Sequence, residues 1–575
     1  MSHSSATAPS ALGYEIQATG NVNSQAAIDR LPPELLVSIF QWVQWLYGWP
    51  HYPSFSRPRE WSLFTWVSRH WRSVALSAPI LWASIIHCHR NTEAKEDWLF
   101  AFLERASGAM LEIRIDFWEY SEATLRAIMM HANAIRSLAL EVSPGPYSST
   151  TNVDEVLRCF PSIMPVLEQL ELSIPRDWRW NTTPEISFTR QQFPNLRRLR
   201  LWGYNFPWTS DLYTSLRSLS LAHIREPPTV TQLFQILQAC PELEFLQLQR
   251  FDTDDDMELP DVSRPEADIP VSTLPKLSKL LFQGSLQTVS YVSDRLLVPS
   301  TCFKDVQITI PAAGQVDPIT AILPRQRAFK PQITETSYLS LTFDDQALYL
   351  SFRKGRDAEA YFSIYGGFIH DPIMTPAAWT ALLDTFDAAP LTEFHLRYTS
   401  LSVISPRMWH QLFARFPLLD HIAAGPTFSH HGGPMHTYGP LLEALQAQKE
   451  RSGDLHGPRL RTFEMGAITV NEDVANALLS LVRTRASKGA PLQELVFRNS
   501  ACEREVDRDA FVSKLTEYVK LKVYDSSCCS GYRDHDTLPC VAIISSFARV
   551  VSQLTSHPCL QLRARASPFG TPALA

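Results

Sequence analysis

Two stretches of the 575-residue chain hold side chains that could ligate a metal ion. Residues 430–436 carry three histidines, and two of these imidazoles could bind a transition metal. No acidic or cysteine partner stands at a defined spacing from them, so a polar loop is favoured. Residues 528–540 contain Cys528, Cys529, His535 and Cys540, but adjacent cysteines seldom chelate one tetrahedral ion and no C-x2-C pair is present. We therefore predict no metal site in either stretch.

Motifs for enzymatic chemistry are missing from the sequence. The acidic cluster at 252–256 lacks the glycine and the distal glutamate of a calcium loop, which favours a solvated loop. There is no Gly-rich phosphate loop, G-x-S-x-G elbow or H-E-x-x-H helix, and glycine is scarce at 21 residues in the chain. We predict no catalytic residue, no cofactor and no enzyme activity. An enzyme with an unrecognised site remains an alternative, and it requires an acid, a base and a nucleophile together in a deep pocket.

The first element with a strong pattern begins near residue 31. Leu31, Leu35 and Ile39 recur every four residues, and Leu36 and Phe40 widen the stripe. This spacing predicts a short helix with one broad apolar face. The two prolines at 32 and 33 fit its first turn, where backbone amides have no intrahelical partner.

A second apolar stripe follows at Leu63, Val67, Trp71 and Val74. It predicts another short helix. Two short helices cannot bury this much apolar surface by themselves, so part of it needs a partner. The tryptophans between 42 and 71 either form a small local core or anchor a partner protein, and we favour the second interpretation.

These two stretches resemble an F-box. The resemblance rests on Leu-Pro-Pro-Glu-Leu-Leu-x-x-Ile-Phe at 31–40 and Trp-Val-Ser-Arg-His-Trp-Arg at 66–72. Residues 74–82 are similar to the continuation in many fungal F-box proteins, whereas the connection over 41–61 is longer than usual. The resemblance implies binding to a Skp-type adaptor and, through it, to a cullin–RING ubiquitin ligase. The residues that we assign to the adaptor contact are Leu31, Pro32, Leu35, Leu36, Ile39, Phe40, Val67 and Trp71.

The remaining chain repeats the pattern Leu-x-x-Leu-x-Leu, often after a proline. Steps between the first six copies are 32, 29, 20, 27 and 34 residues. Each copy predicts a short strand with alternate residues facing inward, and the intervening stretch predicts a covering helix, so units must stack. The pattern resembles irregular leucine-rich repeats. The clear copies are Ile135-Leu138-Leu140, Leu167-Leu170-Leu172, Leu196-Leu199-Leu201, Leu216-Leu219-Leu221 and Leu243-Leu246-Leu248, and weaker ones begin at Leu277, Leu391, Leu419, Leu460 and Leu492.

Two helical segments repeat each other at an offset of thirty residues. Residues 375–386 and 405–416 each begin with Thr or Ser, continue with Pro, and then place Trp, two large apolar residues and Phe on one face. Similar helices are predicted at 94–106, 229–239 and 471–483. Strands are predicted at 81–86, 111–117, 306–310, 339–343 and 348–352.

The predicted fold class is therefore α/β: an N-terminal helical F-box followed by an irregular leucine-rich-repeat solenoid of parallel strands backed by helices. The predicted domains are a disordered tail at 1–27, the F-box at 28–85, the repeat array at 86–560 and a flexible tail at 561–575.

Charge and composition restrict the partners. A net charge of −7 gives no electrostatic case for binding nucleic acid or an anionic membrane. No run approaches 18 apolar residues, the start has no signal-peptide pattern, and the nine cysteines have no disulfide spacing. These features predict a cytoplasmic or nuclear protein with reduced thiols.

We expect a substrate-recognition adaptor that binds a Skp-type protein through the F-box and a target protein through the repeats. One alternative is an F-box protein that binds the adaptor without being a ligase subunit. Another is a non-catalytic, repeat-type scaffold whose F-box-like helices cap the solenoid, with the 31–40 face buried against residues 80–120.

Overall fold

The computed structural model describes nineteen segments of the chain. They are residues 31–48, 65–87, 94–117, 122–142, 157–173, 188–224, 227–249, 271–309, 323, 330–344, 347–355, 362–367, 374–398, 401–425, 438–448, 455–466, 469–498, 501–502 and 506–524. The histidines at 430–436, the Cys/His group at 528–540, the acidic cluster at 252–256 and both predicted tails lie outside these segments.

Strands and helices alternate along most of the described chain. The strands are β1 (Ser84–His87), β2 (Leu111–Phe117), β3 (Ile135–Val142), β4 (Gln169–Ser173), β5 (Arg198–Trp202), β6 (Ser218–Ala222), β7 (Phe245–Gln249), β8 (Ser272–Thr273), β9 (Lys279–Ser285), β10 (Leu296–Leu297), β11 (Phe303–Thr309), β12 (Tyr338–Asp344), β13 (Ala347–Arg353), β14 (Phe362–Gly367), β15 (Glu393–Arg397), β16 (His421–Gly425), β17 (Thr462–Gly466), β18 (Thr469–Val470), β19 (Glu494–Arg498), β20 (Ala501–Cys502) and β21 (Lys520–Tyr524). The helices are α1 (Pro33–Gly48), α2 (Arg69–Leu76), α3 (Ala94–Arg105), α4 (Glu122–Met129), α5 (Val230–Gln238), α6 (Leu286–Arg295), α7 (Lys330–Thr334), α8 (Pro376–Thr385), α9 (Pro406–Arg415), α10 (Gly439–Gln446), α11 (Glu472–Ser487) and α12 (Arg508–Thr516).

Seventeen of these strands form one sheet. From β1 to β7, and on through β9 to β11, each strand pairs in parallel with the next strand of the sheet in chain order. From β15 through β16, β17 and β19 to β21 the pairing is again parallel and in chain order. The α/β class with a large parallel sheet is therefore confirmed. Parallel neighbours need crossover connections, which the intervening segments provide.

The middle of the sheet breaks this order. Strand β14 pairs with β11, while β12 pairs with β15, and β13 runs antiparallel between β12 and β14. Between β11 and β15 the strands therefore lie in the order β14, β13, β12, which is the reverse of their order in the chain. Strands β12 and β13 form an antiparallel hairpin. The strands predicted at 339–343 and 348–352 are confirmed and are one residue longer at each end. The strand predicted at 306–310 is confirmed as β11, which begins three residues earlier, and residue 310 lies outside the described residues.

The repeated leucines form rows across the sheet, as the motif predicts. Leu138, Leu170 and Leu199 are direct neighbours on β3, β4 and β5, and each is buried. The register continues this row through all seventeen strands. In spatial order its members are Ile85, Ile113, Leu138, Leu170, Leu199, Leu219, Leu246, Leu280, Lys304, Phe362, Phe352, Leu339, Phe394, Ile422, Phe463, Leu495 and Leu521.

Helices α8 and α9 show how the array is covered. Thr375 and Ser405 cap them, each accepting a hydrogen bond from a backbone amide three residues later, as predicted. Trp379 of α8 lies 6.0 Å from Phe394 of the buried row and 5.7 Å from Trp409 of α9, measured between ring centroids. Its indole Nε1 also donates to the carbonyl of Met408 at 2.8 Å. In this repeat the helix therefore packs against both the sheet and the next helix.

The expectation of a helix between successive strands of the repeats is wrong between β5 and β6. The connection from β5 to β6 is fully described and contains only a 3₁₀ turn at Asp211–Tyr213. Aromatic rings fill the space there: Phe188 lies 5.0 Å from Phe193 and 4.9 Å from Phe206. The step between these two copies is only 20 residues, which is too short for a strand, two turns and a full helix.

Predicted boundaries near the N-terminus need three corrections. Helix α1 extends to Gly48 rather than ending near residue 40, because apolar residues continue its period beyond Phe40. Helix α2 begins at Arg69, since Ser68 caps it, so Val67 precedes the helix. The strand predicted at 81–86 is β1, Ser84–His87, and Leu81 ends a 3₁₀ turn.

Two other predictions concern thiols and membranes. Cys240 and Cys302 are free and buried, as predicted, and burial raises the pKa of the Cys302 thiol to about 11. Cys159 is half-buried. Within the described segments, no helix combines the length and apolar character needed to cross a bilayer.

Candidate functional site

The N-terminal helices divide the predicted adaptor contacts into inner and outer residues. Leu36 and Phe40 are buried on α1, and Trp71 is buried on α2. The rings of Phe40 and Trp71 lie 5.2 Å apart, which fixes the two helices against each other. These three predicted contacts belong to the interior of the helical unit and are not available to a partner.

Other predicted contacts lie on the surface. Leu35 is 51% exposed, Val67 is 48% exposed, and Pro32 is also exposed. Leu31 and Ile39 are half-buried. On α1, Leu35, Ile39 and Trp42 are spaced by four and three residues, so they share one face beside the buried stripe. The single apolar face predicted from the sequence is in fact two adjacent stripes with different surroundings.

Among the described residues of this region, Trp66 is the most exposed apolar one, at 76%, and it lies in the turn before α2. It is one of the tryptophans at 42–71 that the sequence predicts as anchors for a partner, although it is not among the eight assigned adaptor contacts. Together with it, we define the N-terminal apolar surface as the exposed side chains Leu35, Trp42, Trp66, Val67, Leu76 and Ile80.

The inner side of the same helices joins the sheet. The Gln44 side-chain amide donates to the carbonyl of Leu81 at 3.2 Å, and the Trp82 indole donates to the carbonyl of Ala75 at 2.8 Å. The ring of Trp82 packs edge-on against Phe102 of α3, 4.8 Å away. The helices therefore cover the β1 end of the sheet while they keep an apolar surface exposed.

A second candidate surface is the sheet face opposite the buried rows, which we call the polar sheet face. Successive side chains of a strand point to opposite sides, so residues between the apolar rows lie here. Cross-strand ion pairs occupy both of its ends, for example Arg200 with Glu171 at 3.4 Å and Arg498 with Glu464 at 2.5 Å. In both pairs the arginine is partly exposed, whereas the carboxylate is largely buried. The polar sheet face thus carries positive and negative side chains next to each other.

Near the middle of the polar sheet face, four ring or carboxylate side chains meet. Glu393 and His395 lie on β15, His421 lies opposite Glu393 on β16, and Tyr338 lies on the other side, opposite Glu393 on β12. The Glu393 Oε2 is 3.7 Å from His395 Nε2 and 3.8 Å from His421 Nδ1. The Tyr338 hydroxyl lies 3.2 Å from His395 Nδ1, and burial raises the pKa of this phenol, which keeps it neutral. We call this set the Glu/His cluster.

The sequence analysis missed this cluster, although the repeat carried the signal. Glu393 and His421 stand two positions after Leu391 and Leu419, which begin neighbouring copies of the motif. Equivalent positions of stacked repeats become cross-strand neighbours, so alignment of the copies places these side chains together. His395 follows Glu393 by two residues and shares its face.

A buried lysine interrupts the apolar row. Lys304 stands between Leu280 and Phe362 in register and is only 1% exposed. Its Nζ donates to Gln332 Oε1 at 2.7 Å, and the amide of Gln332 donates in turn to the carbonyls of Ser300 and Cys302. Desolvation lowers the pKa of Lys304 to about 8. This pair lies under the sheet, away from both candidate surfaces.

Comparison with known proteins adds no relative to these observations. No protein-family model matches the chain, and no curated protein matches it at a significant level. The residues and their geometry are therefore the basis of the functional proposal.

Proposed function

We propose that this protein is a non-enzymatic substrate-recognition adaptor. Its F-box-like helices bind a Skp-type adaptor of a cullin–RING ubiquitin ligase, and the polar sheet face of its repeat array binds a target protein. The observation that carries the proposal is an exposed apolar surface on the same helices whose sequence resembles an F-box. Because a Skp-type adaptor is a soluble protein, the proposal places this protein in the cytoplasm or nucleus.

Exposure of Trp66, Val67 and Leu35 supports this assignment of roles. Tryptophan and other large side chains that remain exposed next to a well-packed core are typical of interaction sites. A neighbouring groove could take up the α1 stripe and the Trp66 ring in the way that helices dock in apolar grooves. Leu36, Phe40 and Trp71 then support the surface by holding α1 and α2 together.

The mechanism is proximity. A target held on the repeat array stays near a ubiquitin-charged enzyme on the same assembly, so the effective concentration of its lysines rises without any catalytic group from this chain. Parallel strands that stack in one continuous sheet suit this task, because they hold the two binding surfaces at a fixed separation.

One observation favours a second candidate function, a scaffold whose N-terminal helices cap the array. The hydrogen bond from Trp82 to Ala75 and the contact of Trp82 with Phe102 tie α2 to the first repeat. Capping units of solenoids make this type of contact. In that case the exposed surface has a different partner or none.

The test compares substitutions on the two sides of the helices. Full-length protein with Leu35→Asp and Val67→Asp should lose capture of a purified Skp-type adaptor while its circular dichroism and melting temperature stay close to wild type. Met130→Asp and Ile163→Asp are matched controls, because both side chains are exposed and apolar but lie outside the N-terminal helices. They should leave capture intact.

Three outcomes are informative. Loss of capture in the folded L35D/V67D variant alone supports the adaptor proposal. Absence of capture by wild type overturns it and leaves the capped scaffold. Capture without ubiquitin transfer to any bound protein in a reconstituted ligase points to a non-ligase assembly role.

A further inference from the structure

The Glu/His cluster has the donor geometry of a metal site. Strands β15 and β16 pair in parallel, and their register places Glu393 directly opposite His421. His395 follows Glu393 by two residues, so its side chain lies on the same sheet face. One ligand atom from each of the three residues lies within 4.8 Å of the others. Two imidazoles and one carboxylate are a common ligand set for zinc and related divalent ions.

The separations between donors fit a shared ion better than direct hydrogen bonds. Glu393 Oε2 is 3.7 Å from His395 Nε2 and 3.8 Å from His421 Nδ1. Charge-assisted hydrogen bonds between nitrogen and oxygen are shorter, at about 2.7–2.9 Å. Zinc–ligand bonds of about 2.0–2.2 Å at tetrahedral angles place neighbouring ligand atoms about 3.3–3.5 Å apart. A contraction of a few tenths of an ångström brings both of these pairs to coordination distance, and the two imidazole nitrogens, which lie within 4.8 Å of each other, must also move closer together.

Tyr338 orients one of the ligands. Its hydroxyl lies 3.2 Å from His395 Nδ1, on the side of the ring away from Glu393. A neutral phenol can accept a hydrogen bond from Nδ1–H, which leaves the lone pair of Nε2 directed at the carboxylate. Histidines that bind metals usually have their second nitrogen held in this way.

The surroundings allow an ion to enter. The side chains of Glu393 and His395 are 14% and 20% exposed, so the cluster is recessed but open to the polar sheet face. The single carboxylate offsets part of the dipositive charge, and three protein ligands leave a fourth position for water or for a ligand from a bound molecule.

We propose that Glu393, His395 and His421 bind one divalent transition-metal ion, with zinc as the probe, on the polar sheet face. This site is independent of the adaptor proposal, since it shares no residue with the N-terminal apolar surface. It also differs from the two metal-ligand stretches recognised in the sequence, which lie elsewhere in the chain.

The experiment titrates zinc into the full chain after chelator treatment and dialysis, with calorimetry as the readout. Wild type should bind one ion at this site. Glu393→Gln and His421→Gln should each weaken that affinity by at least about tenfold, as loss of a ligand or its support does. His410→Gln is the matched control, because His410 stacks on His456 at 4.1 Å and forms another histidine pair that is not part of the Glu/His cluster. It should bind zinc as wild type does.

Cobalt absorption separates this site from other ligands in the chain. A nitrogen- and oxygen-ligated tetrahedral cobalt ion gives visible bands without the intense ultraviolet charge transfer of thiolates, which excludes the cysteines at 528–540. A variant with glutamine at positions 430, 431 and 436 tests the histidine-rich stretch. The proposal is overturned if wild type binds no zinc, if E393Q and H421Q bind as tightly as wild type while circular dichroism shows both folded, or if only the 430–436 variant loses the ion.

Discussion

Replacement of Lys304 by Met should change how the stability of this protein depends on pH. Lys304 occupies a position in the buried row where neighbouring strands carry Leu280 and Phe362. Its ammonium group is held by Gln332 at 2.7 Å but remains desolvated, and its pKa falls to about 8. Methionine has a similar length, needs no counter-charge and continues the apolar row.

The magnitude follows from the two pKa values. An unfolded lysine titrates near pH 10.4, and the folded one near 8. Below the folded pKa both states carry the proton, and the full cost of burying the charge is present. Between the two values the unfolded state binds more protons, so the free energy of unfolding rises with pH. The gain across this window is about 3 kcal/mol, since one pKa unit corresponds to about 1.4 kcal/mol.

The comparison of variants isolates this residue from every other titrating group. Urea unfolding followed by tryptophan fluorescence gives the difference in unfolding free energy between wild type and Lys304→Met at several pH values from about 7 to about 10. Near pH 7 the difference should be small, because removal of the buried charge is opposed by loss of the donor to Gln332, a cost of about 1–3 kcal/mol. As the pH rises to about 10, the free energy of unfolding of wild type should increase relative to that of the variant by about 2–3 kcal/mol.

Lys279→Met is the matched control. Lys279 lies on the neighbouring strand β9, but its side chain is exposed. The control should show a difference from wild type that does not change with pH. A flat difference for Lys304→Met as well would refute the argument, because it would mean that the buried ammonium carries no desolvation cost in the folded state.

Two further stability effects follow from single buried side chains. Arg485→Met should lower the free energy of unfolding by about 3 kcal/mol or more. The buried guanidinium donates to the carbonyls of Leu445, His456 and Gly457, and all three lose their donor in the variant. Equilibrium urea unfolding measures the change, and a loss under about 1 kcal/mol would contradict this account. Trp379→Ala should lower the free energy of unfolding by about 3–5 kcal/mol, because it leaves a cavity between α8, α9 and β15. Val403→Ala, at an exposed position, should lower it by less than about 0.5 kcal/mol. Equal effects of the two substitutions in calorimetric melting would argue against the packing of α8 against α9 and the sheet.

Short-range patterns predicted many elements of this fold correctly. The helix bounds at 375–386 and 405–416 follow from capping residues and proline at the first turn, which act within a few residues along the chain. The strands follow from the strict alternation that a half-buried sheet requires. Helix capping and strand alternation both depend on residues that are close in sequence, so they can be recognised without knowledge of the rest of the molecule.

The order in which the strands pair across the sheet could not be predicted from such local patterns. The reversed passage through β14, β13 and β12 depends on which strand edges pair, and those partners are far apart in the chain. The helix-free connection between β5 and β6 depends on phenylalanine rings that meet from two neighbouring connections, before and after β5. Pairing and packing of this kind override local propensity.

The sequence by itself determined that apolar side chains form repeating rows, that strand residues alternate between these rows and the other face, and that the first helices carry more apolar surface than they can bury. Only the tertiary structure decided that Leu36 faces inward while Leu35 faces solvent, and that Glu393 meets His421 across two strands. The reason is that residue spacing fixes the face of an element on which a side chain lies, whereas strand register and helix packing fix what that face meets.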